Sequence, residues 1–104
     1  MLKKAKALEG SGLGINRDEK SGQYRLRIED GFKSLNEPML GRISSLAERA
    51  AEAGEVALVI DIIELFRSRG LEGSKDLYRR TLSALDSKSD KARLKAAFGQ
   101  HYDA

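Results

Sequence analysis

The chain has 104 residues, 34% of them charged, with a net charge of +3, a single histidine, no cysteine and no tryptophan. That length predicts one domain with a modest, largely aliphatic core, burying roughly 60–70% of the surface the unfolded chain exposes. Without cysteine there is no disulfide, thiol nucleophile or cysteine-ligated zinc, and His101 alone cannot supply a histidine metal set.

No apolar run reaches the roughly 18 residues of a transmembrane span. The basic opening Lys3-Lys4-Ala5-Lys6 is broken by Glu9 and Gly10 before a secretory apolar stretch can form, so a cytoplasmic protein is expected. Charge is uneven along the chain. Residues 1–33 carry eight Lys/Arg against five Asp/Glu, residues 34–69 four against six, and residues 70–104 seven against five. Basic ends and an acidic middle suit an acidic partner, or attraction between subunits.

Residues 1–12 read as a flexible or short helical segment, residues 13–99 as one globular domain, and residues 100–104 as a tail. The domain opens with a β-hairpin. Leu13 to Asn16 leads into the polar turn Arg17–Gly22. Gln23 to Glu29 then alternates Tyr24, Leu26 and Ile28 with Arg25, Arg27 and Glu29, the pattern of a half-buried strand. A two-stranded hairpin is marginal alone, so it must pack on helices.

The first long helix starts between Ser34 and Pro38, where a capping box or Asn36 supplies the cap, and ends at Gly54. Its apolar residues fall at helical spacing, and its alanine-rich second half lets a neighbour approach closely. Residues 55–69 are the most apolar stretch. Ala57, Asp61, Glu64 and Ser68 lie on one helical stripe, so the segment reads as a helix with a narrow polar edge, the centre of the fold or of a subunit interface. A third helix follows Ser74. A fourth runs from about Asp90 to Phe98 and stops at Gly99. The fold class is therefore mainly α (α+β): an N-terminal hairpin packed on three to four helices, with residues 55–69 central.

Candidate chemistry is sparse. Gly10-Ser11-Gly12-Leu13-Gly14 has the glycines of a phosphate loop but neither the preceding strand nor a following Gly-Lys-Ser/Thr. Asn16, Asp18 and Glu19 fail the calcium-loop register, because Lys20 and Ser21 fall where a ligand and a glycine belong. Asp61 and Glu64 sit one helical turn apart but lack the histidine and further carboxylates of a bundle metal site. They are expected at the helix edge, or meeting arginines such as Arg67 or Arg69. No catalytic residue, metal site or cofactor is expected.

Two surfaces remain. The broad apolar circumference of the central helix, at Val59, Ile62, Ile63 and Phe66, suggests an interface with a second copy or another protein. Arg25 and Arg27 on the strand, with Arg79, Arg80, Lys88, Lys91 and Lys95, suggest nucleic-acid contacts. The expected function is a non-catalytic protein-interaction module, such as an adaptor, inhibitor or small assembly subunit, with a homodimer as the expected state. The alternative is a nucleic-acid-binding accessory protein.

Overall fold

In a computed structural model, residues 12–28 and 37–102 are described. Two strands, β1 (Leu13–Arg17) and β2 (Tyr24–Ile28), precede four helices: α1 (Glu37–Glu52), α2 (Val56–Ser68), α3 (Ser74–Ala84) and α4 (Lys88–Tyr102). The chain is mainly helical, with the hairpin packed against the helices. Expectations for residues 1–11, for the helix cap at Ser34–Asn36 and for residues 103–104 lie outside the described residues.

The strands pair antiparallel, with Leu13 opposite Ile28, Ile15 opposite Leu26, and Arg17 opposite Tyr24. These residues share one side of the ribbon, because directly opposed residues project to the same face. Leu13 is buried, and Ile15, Tyr24 and Leu26 pack partly buried against the core. Gly14, Asn16, Arg25 and Arg27 occupy the other side, facing solvent. Arg17 belongs to β1 rather than to the turn. The turn itself is closed by Asp18, whose N–H donates to the Gln23 carbonyl at 2.8 Å and whose carbonyl accepts from Gly22 N–H at 2.7 Å.

α2 is the centre of the bundle and touches β2, α1, α3 and α4. Its position follows from its polar stripe, which is too narrow to expose more than one edge to water. Leu58, Val59, Ile62 and Ile63 are fully buried, each worth roughly 1.5–3 kcal/mol relative to exposure. Ala47, Ala50 and Ala51 of α1 are buried where α1 meets α2 and α3. Small side chains there permit close approach. Gly54, at φ +77°, turns the chain after α1, and Glu55 N–H returns to the Ala50 carbonyl at 2.8 Å.

α4 differs from the expectation. Gly99 does not end it; the helix continues to Tyr102. The reason is a cluster of rings. Tyr102 lies 5.2 Å from Tyr78 and 6.0 Å from Phe98, centroid to centroid. Such contacts offset the roughly 1 kcal/mol that glycine costs within a helix. Residues 100–102 are therefore helical, with Tyr102 packed on the rings and Gln100 and His101 exposed. The helix also starts earlier than Asp90, with Ser87 Oγ accepting from Asp90 N–H at 3.3 Å. Among the described residues no helix is long and apolar enough to cross a membrane.

Candidate interaction surface

The polar stripe of α2 does specific work at the hairpin. The Asp61 carboxylate accepts from Arg25 Nε at 2.7 Å and Arg25 Nη2 at 2.8 Å, a two-pronged pair. Its Oδ2 also accepts from the Leu26 backbone N–H at 3.0 Å. In the β1–β2 register the Leu26 N–H points away from β1, so Asp61 takes the place of a missing third strand. One carboxylate thus fixes the ribbon to the central helix and orients Arg25. The bonds from Asp61, reinforced by its charge, hold the Arg25 guanidinium above its ordinary pKa.

The other two hairpin arginines are braced as well. With its amide turned to satisfy both neighbours, Asn16 Oδ1 accepts from Arg27 Nη1 at 3.2 Å and its Nδ2 donates to the Ile15 carbonyl at 3.1 Å. Arg17 Nε donates to the Gly22 carbonyl at 3.2 Å. All three arginines line one shallow concavity of about 610 Å³, with Asn16 and Ile28 beside them. That volume falls within the range of small-molecule sites, but the concavity is open and lacks the enclosing apolar walls that bury such ligands. Ile28, half exposed, is the one large hydrophobic side chain so exposed among the described residues. Asp18 is the acid among the lining residues. Ser21 Oγ donates to its Oδ2 at 2.8 Å and Lys20 N–H to its Oδ1 at 3.3 Å. The bond from Ser21, then that from Lys20, holds the Asp18 carboxyl below its ordinary pKa of 3.8.

The remaining expected site residues scatter. Val59, Ile62, Ile63 and Phe66 do not form a surface: all four are at most 3% exposed, covered by the chain's own packing. The reason is geometric. The hairpin and three helices surround α2, so one chain suffices to cover it. Arg80 is engaged, its Nη2 2.6 Å from Glu48 and its Nη1 3.1 Å from Asp76. Arg79 is exposed on α3. Lys88, Lys91 and Lys95 fall on one side of α4 and form no ion pair among the described residues. Glu64 pairs with Arg67 at 3.0 Å, as the stripe suggested. Gly12-Leu13-Gly14 runs into β1 and not into a helix, so no phosphate cradle forms there.

Sequence reasoning did not find the parts played by Asn16, Arg17 and Ile28, or the pairing of Asp61 with Arg25. The signal for Asn16 was the hairpin register, which sets it diagonal to Arg27 on the same side of the ribbon. Among the described residues no group of three His, Asp or Glu side chains is placed to hold a metal ion. Comparison with protein-family profiles, curated proteins and solved structures finds no match.

Proposed function

We propose that this chain is a non-catalytic protein-interaction module that meets its partner through the hairpin. One observation carries the reading: three braced arginines and the exposed Ile28 line the same concavity. Arginine is enriched at protein interfaces, and its fork gives both charge and apolar contact. The central helix takes no part as a docking surface, because its apolar residues are already covered. A photo-crosslinking side chain at position 28, expressed in the native host, tests the reading. A discrete protein adduct is expected there and not from the exposed position Arg79. An absence of adducts at position 28, or the same adducts from both positions, overturns it.

A second reading rests on a separate observation. Lys88, Lys91 and Lys95 share one side of α4 with no ion-pair partner among the described residues, which favours nucleic acid. It predicts binding to DNA or RNA that weakens steeply with salt. It fails if replacing all three lysines by alanine leaves that binding unchanged.

A further inference from the structure

The hairpin arginines share a property absent from the α4 lysines. Each is held by an acceptor elsewhere in the chain: Arg25 by Asp61, Arg27 by Asn16, Arg17 by the Gly22 carbonyl. A guanidinium has five N–H donors. Asp61 engages two of those of Arg25, leaving three for another acceptor. A side chain already ordered loses less freedom when a ligand arrives, so bracing favours binding.

The arginine fork fits carboxylates and phosphates alike. Three features of the concavity select a carboxylate on a protein. Ile28 offers an apolar contact that a sugar–phosphate backbone does not match. No aromatic ring lines it, so it has no platform for stacking bases. Asp18 is among its lining residues, where it repels a continuous polyanion, whereas a peptide can place a neutral residue there.

We propose that this concavity docks an acidic, extended segment of a partner protein, its carboxylates on Arg25 and Arg27 and an apolar side chain against Ile28. The proposal rests on the reading of the hairpin as the working surface and adds the chemistry of the partner.

The test is fluorescence anisotropy with the full chain and a short labelled peptide of alternating glutamate and leucine. Controls are the same peptide with glutamine for glutamate, and single-stranded and duplex DNA. The acidic peptide is expected to bind, more weakly as salt rises, and the glutamine peptide not to bind. Arg27→Ala, which leaves the Arg25–Asp61 pair intact, is expected to weaken binding by about tenfold or more. Arg27→Lys, retaining charge without the fork, should fall between, and Ile28→Ser should weaken it too. Replacing Lys88, Lys91 and Lys95 by alanine should leave it unchanged. Thermal melts confirm that each variant folds. Equal binding of the glutamine peptide, binding of DNA but not of the acidic peptide, or insensitivity to Arg27 overturns the proposal. If position 28 crosslinks to a protein while the acidic peptide stays unbound, the partner chemistry is wrong and the hairpin reading survives. If neither occurs, both fall.

Discussion

Arg25 and Asp61, thirty-six residues apart, form a two-pronged ion pair that joins the outer strand of the hairpin to the central helix. The Asp61 side chain is 16% exposed and that of Arg25 54%, so the pair straddles the boundary between interior and solvent. Asp61→Ala removes both bonds and also strips the Leu26 N–H of its acceptor. It is expected to cost about 1–2 kcal/mol, lowering the melting temperature by roughly 4–8 °C per kcal/mol. A double-mutant cycle with Arg25→Ala, followed by urea unfolding, should give a coupling above about 0.5 kcal/mol. Zero coupling would show that the hairpin is held by its apolar side alone.

Position within the core separates two isoleucines. Ile62 is fully buried in α2, whereas Ile28 is half exposed. Ile62→Ala is expected to cost about 2–5 kcal/mol, through lost burial and the cavity left behind. Ile28→Ala should change stability by less than about 0.5 kcal/mol. Equilibrium denaturation of the two variants checks the contrast. A nearly neutral Ile62→Ala would contradict the packing of α2.

The Tyr102 hydroxyl is buried and has no hydrogen-bond partner among the described residues, while its ring packs on Tyr78 and Phe98. Leaving such a group unsatisfied costs roughly 1–3 kcal/mol. Tyr102→Phe, which keeps the ring and removes the hydroxyl, should therefore stabilise the fold by about 1 kcal/mol. Tyr102→Ala should destabilise it. A calorimetric melting point moving down with Tyr102→Phe would mean that the hydroxyl has a partner in solution.

Asp18 supplies a pH-dependent contribution to the turn. Its folded pKa is depressed below 3.8, chiefly by the Ser21 hydroxyl. The sign follows: the unfolded chain binds the proton more readily, so the contribution is present above pH 3.8 and is lost as pH falls through the folded value. Ser21→Ala should move the Asp18 carboxyl resonance midpoint upward in an NMR titration. An unmoved midpoint would assign the depression to another cause.

Arg80 ties α3 to α1 through Glu48 across exposed side chains. Exposed pairs contribute about 0.2–1 kcal/mol, and salt screens them. The Arg80–Glu48 coupling energy should sit in that range at low ionic strength and shrink in about 1 M salt, where the Debye length is about 3 Å. A coupling indifferent to salt would show that the contact acts through packing instead.

Much of this architecture was legible in residue periodicity. Tyr24, Leu26 and Ile28 alternate, Asp61 and Glu64 share a helical stripe, and Gly54 and Gly70 stop helices where they stand. What periodicity cannot convey is pairing across sequence distance. The carboxylate of Asp61 had arginines nearby in the chain at Arg67 and Arg69, yet its partner is Arg25. Local rules also place a stop at Gly99, and only the three-dimensional meeting of Tyr78, Phe98 and Tyr102 overrides it. The apolar girth of α2 spoke equally for a subunit interface or a core. The choice depended on how many elements of one chain can surround a helix, and β2, α1, α3 and α4 all do. The braced arginines were half visible. Arg25 and Arg27 stood out as candidates and Arg17 did not, and the acceptors that hold all three became identifiable only in the folded chain.

The bond from Leu26 N–H to Asp61 has a consequence for self-assembly. A strand that can recruit another chain on either side propagates without limit, the route to fibres. Here the Asp61 side chain of α2 occupies the outward N–H of Leu26 on the edge of β2. Adding a strand to β2 would therefore have to displace Asp61 from Leu26, and with it the contact that holds the hairpin to α2.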